Sequence, residues 1–131
     1  KKDGKYALLV QSSRHLMSSV SAGERYKEMS KEIDFHIVLI GPVVKELAED
    51  KELIPFIEKI KALGLLFKLD TNGTNPDLLH ELISKKQIDY VAMDIKNSKD
   101  KYAVTIGLPT APIKEISESI SILLESDIDY E

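Results

Sequence analysis

Two acids, a hydroxyl, an amide and a lysine stand at the ends of two apolar runs, and these residues are the best suited to chemistry in the chain. The run "LLFKLD" ends at Asp70 and continues into Thr71, Asn72 and Gly73; the run "YVAMDI" carries Asp94 and is followed by Lys96. Carboxylate, hydroxyl and amide oxygens can hold a hard cation, and a lysine can meet a ligand carboxylate. The same residue types are also ordinary turn chemistry. Asp and Asn at strand-to-helix junctions bond to loop N–H groups, and Asn72-Gly73 is a common turn pair. Taken alone, the residues favour the turn. Asn-Gly also marks a hairpin, but Pro76 opens a helix straight afterwards, so a hairpin is not expected.

A second, weaker candidate is the serine-rich stretch after the first apolar run, "QSSRHLMSSVSAG", where Ser12 and Ser13 could meet an anion at a helix N-terminus. It has neither a G-x-x-x-x-G-K-[ST] nor a G-x-G-x-x-G pattern, so a solvated loop is the simpler reading. The histidines, His15, His36 and His80, show no metal-ligand spacing. Only His15, beside Arg14, has a plausible catalytic position, and no Ser, His and acid arrangement follows from this order. No catalytic or metal residue is assigned.

These residues hang on a regular alternation. Strand-length apolar runs at "YALLV" (6–10), "FHIVLIG" (35–41), "LLFKLD" (65–70) and "YVAMDI" (90–95) alternate with segments of helical period, the mark of βα units and a parallel sheet. A polar helix is expected around 24–32. The next has Leu53, Ile57, Ile60 and Leu63 on one face, starts near Pro55 and stops at Gly64. Thr74 or Asn75 caps the helix begun by Pro76, whose stripe is Leu78, Leu79, Leu82 and Ile83. The last helix has a core face of Ile113, Ile116, Ile120, Leu123 and Leu124. An Ile-Asp-aromatic triplet recurs at 33–35, 88–90 and 128–130, where the aspartate would end the loop in water and the aromatic would start the buried strand. The third copy begins a strand that is barely built, as in a cut chain.

Composition narrows the function classes. The 131 residues are 43% hydrophobic and 31% charged, with a formal net charge of −4. One soluble α/β domain spanning 1–131 is expected, without broad attraction to nucleic acid or an anionic membrane. No run approaches the length of a bilayer span, and the N-terminal run has no small-residue cleavage site after it. There is no cysteine, which excludes disulfides, thiolate catalysis and cysteine-held zinc or iron–sulfur clusters in this chain. A reducing cytoplasm is the expected compartment.

From about residue 51 onward the chain resembles the radical S-adenosylmethionine activating enzymes, in the branch of the anaerobic ribonucleotide reductase activators. "KLDTNG" and "YVAMDIK", at their spacing, carry the resemblance, which extends through "IKEISESISILLESDIDYE". It implies central βα units of a partial barrel, with Asp70, Thr71, Asp94 and Lys96 on the rim facing adenosylmethionine and its substrate. In the related pyruvate formate-lyase activators the residues matching Asp70, Thr71 and Asp94 help hold a monovalent cation. The methionine that joins them corresponds to Ala92 here, a departure that puts that cation site in doubt. The family's C-x-x-x-C-x-x-C motif is missing, and "LIGPVVKELAED" stands where its glycine-rich G-G-E-P-like segment would be. Residues 5–47 more distantly resemble the IIB domains of sugar phosphotransferase systems, with Gln11 near the place of their phosphorylated cysteine.

Two likenesses, each without its cysteines, suggest a chimera with a seam at about 43–51. The expected fold is a flavodoxin-like three-layer sandwich with a parallel sheet of about five strands ordered 2-1-3-4-5. The expected function is an engineered or recombined scaffold without catalysis, with no cofactor or partner required. The alternatives are a weak adenosylmethionine, nucleotide or anion site at Asp70, Thr71, Asn72, Asp94 and Lys96, or a fragment of an activating enzyme that needs a partner. A monomer is expected, with a dimer through a sheet edge as the other possibility.

Overall fold

In "LFKLDT" apolar and polar residues alternate, so that in a strand Phe67 and Leu69 share one face and Lys68 and Asp70 the other. The computed structural model, which describes residues 5–10, 18, 21–22, 24–25, 28, 34–40 and 53–131, builds this alternation into a sheet. Its strands are β1 (Lys5–Val10), β2 (Asp34–Ile40), β3 (Leu66–Thr71), β4 (Tyr90–Met93) and β5 (Asp129–Tyr130). All neighbours are parallel, and the strands lie in the order β1-β2-β3-β4-β5. The described positions between residues 18 and 28 are helical.

The helices that follow are α1 (Leu53–Ala62), α2 (Pro76–Ser84), the short α3 (Tyr102–Thr105) and α4 (Ile113–Glu125). Pro55 is accommodated in the first turn of α1, where no intrahelical N–H is required. Gly64, at φ +68°, turns the chain after it. Asn75 caps α2, its side chain accepting the Leu78 N–H, and Pro76 follows it.

This order corrects the expected 2-1-3-4-5. A doubly wound sheet reverses direction partway along, which sends helices to both faces. Here each crossover steps the same way, and right-handed crossovers then place the helices on one face. The core agrees. Phe56, Ile57 and Ile60 of α1, Leu79 and Leu82 of α2 and Leu123 of α4 pack with Phe67, Leu69 and Val91. Burial of each such side chain contributes roughly 1.5–3 kcal/mol. The opposite face of β3 and β4 carries Lys68, Asp70, Tyr90 and Ala92, aligned as Lys68 with Tyr90 and Asp70 with Ala92. A parallel α/β sheet is thus present, but its strand order is not the one expected for a flavodoxin-like sandwich.

Two smaller expectations also change. On α4 the buried residues are Ile116, Ser119 and Leu123, while Leu124 is 66% exposed. At the second Ile-Asp-aromatic triplet, Ile88 and Val91 are buried, and Tyr90 lies half-buried on the polar face. Asp89 is not simply solvated: it accepts the Phe67 N–H at 2.8 Å and pairs with Lys61 at 2.7 Å, fastening the start of β3. No described helix is long and apolar enough to cross a membrane.

Candidate functional site

The carboxyl ends of β3 and β4 open onto a cleft of about 520 Å³ lined by Asp70, Thr71, Asn72, Ala92, Met93, Asp94, Lys96 and Glu131. Asp70, Thr71, Asn72, Asp94 and Lys96 are thus brought together on one rim. Ser12 and Ser13 lie outside the described residues, as do Gln11, His15 and the suggested seam. His36 lies in β2 opposite Leu66, and His80 is exposed on α2, away from the cleft lining.

Local bonding shapes the rim. After Asp70 the Gly73 N–H donates to Thr71 Oγ1 at 3.1 Å, and Asn72 Oδ1 accepts from Thr74 N–H at 3.2 Å and from its hydroxyl at 2.8 Å. Two side-chain turns therefore bend the chain from β3 toward α2. Gly73 has φ +72°, which favours glycine, and a Cβ there would overlap the Met93 methyl. The buried Ser119 hydroxyl of α4 donates to the Gly73 carbonyl at 2.8 Å, tying the turn to a helix.

The second half of the rim is held in a similar way. Asp94 N–H continues the ladder to Thr71 O at 2.9 Å, and the Asp94 carboxylate forms an ion pair with Lys96. Buried Tyr102 stands beneath this loop, its hydroxyl accepting the Lys96 N–H at 3.3 Å and donating to Asp94 O at 3.5 Å.

Sequence reasoning missed Lys68 and Glu131. Lys68 Nζ lies 2.7 Å from Glu131 Oε1, 3.6 Å from Asp70 Oδ1 and 5.4 Å from the Tyr90 ring centroid. The hydrogen bond to Glu131 is the main cause holding the lysine above its ordinary pKa of 10.5; burial opposes it, and the charge of Asp70 adds to it. Asp70 Oδ1 is buried and accepts no hydrogen bond. The two-residue offset from Asp70 was a signal that Lys68 shares its face. Glu131, 63 residues away from Lys68, gave none.

Among the described residues no three His, Asp or Glu side chains converge as a metal set. The arrangement can instead receive a polar ligand: it offers carboxylates, a hydroxyl and an ammonium along one open wall.

No family model matches this chain, and no solved structure matches it. Among curated proteins, a protein of Methanocaldococcus jannaschii described as a candidate glycyl-radical enzyme activating enzyme is 39% identical over 83 residues. The match takes in 61% of this chain and 34% of that protein, so the chain spans about a third of its relative's length. This overturns the expectation of an engineered scaffold without catalysis, because the protein it matches is itself described as an activating enzyme. It gives no support to a chimeric origin or to the IIB likeness. The chain is therefore a partial homologue of a protein assigned to radical-enzyme activation.

Proposed function

We propose that this chain is part of a radical S-adenosylmethionine activating enzyme, and that its rim forms one wall of the adenosylmethionine site. The observation that carries this reading is the convergence of Asp70, Thr71, Asn72, Asp94 and Lys96 on one cleft at the carboxyl ends of β3 and β4. Ligands of parallel α/β sheets collect at those ends. The 39% identity to a candidate activator supports the same reading.

Adenosylmethionine presents a sulfonium, an ammonium, a carboxylate and ribose hydroxyls. The buried Asp70 Oδ1 lacks a donor, which suits an ammonium or hydroxyl of the ligand. Lys96 suits its carboxylate, in competition with Asp94. When bound, adenosylmethionine supplies the carbon–sulfur bond that such enzymes break. The residues of this chain do not fit an iron–sulfur cluster, since there is no cysteine to ligate one. A cluster would have to be held by another segment or subunit, and the target, a glycyl-radical protein, is proposed from the relative's description alone.

Amide NMR with added S-adenosylmethionine tests the binding. Shifts concentrated at 70–73 and 94–96 are expected. No change around Gly73 and Lys96 at millimolar ligand would sink this reading.

A further inference from the structure

The ammonium of Lys68 is shared unequally between two acids. Glu131 holds it at 2.7 Å, a normal charge-assisted hydrogen bond, whereas 3.6 Å to Asp70 Oδ1 is too long for one. Glu131 reaches it from beyond β4. Its backbone bonds bracket Ala92, with Glu131 N–H on Val91 O at 3.0 Å and Met93 N–H on Glu131 O at 2.9 Å. Ala92 also pairs with Asp70. Asp70 of β3, Ala92 of β4 and Glu131, the residue after β5, therefore form a row, and the small side chain in the middle leaves room for the outer acid to reach Lys68. Lys96, the cation that lines the cleft among the described residues, is engaged by Asp94.

We propose that Glu131 is a positioning residue: by holding Lys68 it keeps the ammonium beyond hydrogen-bond range of Asp70, so that the buried Asp70 Oδ1 is left to take a donor from a ligand that enters the cleft. The inference rests on the reading of this cleft as a ligand site. Its physical basis is a competition. A buried carboxylate oxygen without a donor is unfavourable, so Lys68 should close on Asp70 once Glu131 no longer competes. The gap of 3.6 Å would shrink to about 2.8 Å, the usual length of such a bond. The Tyr90 ring lies beneath the ammonium as it stands, 5.4 Å away at its centroid.

The competition can be read without ligand by titrating Lys68 through its Cε carbon in the 131-residue chain. In Glu131→Gln, Asp70 takes over and Lys68 stays above the ordinary lysine value; in Glu131→Gln/Asp70→Asn it falls to that value or below it, because only the lowering effect of burial remains. The fall caused by Glu131→Gln should be smaller with Asp70 present than in an Asp70→Asn background; equal falls in the two backgrounds would mean that Lys68 has not moved, and the proposal is overturned. With S-adenosylmethionine as probe, Glu131→Gln should weaken binding about tenfold, and adding Lys68→Met should restore it. Equal affinity in Glu131→Gln and the unsubstituted chain would also overturn the proposal. An unsubstituted chain that ignores adenosylmethionine would sink the ligand reading, while the titration would still decide whether Lys68 moves.

Discussion

The hydroxyl of Ser119 donates to the carbonyl of Gly73 at 2.8 Å across 46 residues, so the last helix fixes the turn that follows Asp70. Ser119 is fully buried, and its alanine variant would leave the Gly73 carbonyl without this donor. Ser119→Ala should cost about 1–3 kcal/mol in urea unfolding. Gly73→Ala should cost about 1–2 kcal/mol for its φ of +72°, plus whatever is needed to move the Met93 methyl aside. An unchanged urea midpoint in Ser119→Ala would show that the clamp does not matter to stability.

Much of this architecture was legible locally, and the rest depends on distant pairings. The alternation in "LFKLDT" placed Phe67 and Leu69 inside, and the Asn75-Pro76 start of α2 followed from capping chemistry. The strand order was not legible, because alternating βα units are equally compatible with a doubly wound sheet and with a sequential one. Ser119 escaped notice because a serine in an apolar stripe looks like a surface position until its carbonyl partner is known. Leu124 erred the other way, as helical spacing alone does not mark where the buried face ends. The rim residues could be named from strand ends, but the pairing of Lys68 with Glu131 joins β3 to the residue after β5 and has no local pattern.

Lys86 is the described non-glycine residue with positive φ, at +53°, just beyond the end of α2. Its N–H reaches Ile83 O at 2.9 Å and the Gln87 N–H reaches Leu82 O at 2.9 Å, the paired bonds of a Schellman stop. Glycine occupies that position without Cβ strain. Lys86→Gly is therefore expected to stabilise by up to about 1 kcal/mol, after the added freedom of the unfolded chain is subtracted. A lower thermal midpoint would show that the lysine side chain contributes something this geometry does not.

Lys68 gives stability a definite dependence on pH. Its folded pKa is raised above 10.5, chiefly by the hydrogen bond to Glu131. A raised lysine favours the protonated folded state, so its contribution is complete below pH 10.5 and is lost as pH rises through the folded value. The unsubstituted chain should lose stability over that alkaline window, and Lys68→Met should lose less. Parallel losses in the two proteins, followed by urea midpoint from pH 9 to pH 12, would assign the alkaline limb to other groups.

Asp89 fastens two elements through one carboxylate. One oxygen takes the Phe67 N–H at 2.8 Å, where β3 has just begun, and the other pairs with Lys61 at 2.7 Å near the end of α1. Both side chains of the pair are about one-third exposed, so solvent weakens the ion pair and the backbone bond matters more. Asp89→Asn keeps an oxygen for Phe67 but gives up the charge, whereas Asp89→Ala loses both. The alanine variant should destabilise by about 1–3 kcal/mol and the asparagine variant by less than half as much. Hydrogen exchange separates the two contributions, because only the alanine variant should speed exchange at the Phe67 amide. Equal exchange in both variants would mean that the charge, rather than the bond to β3, holds this corner.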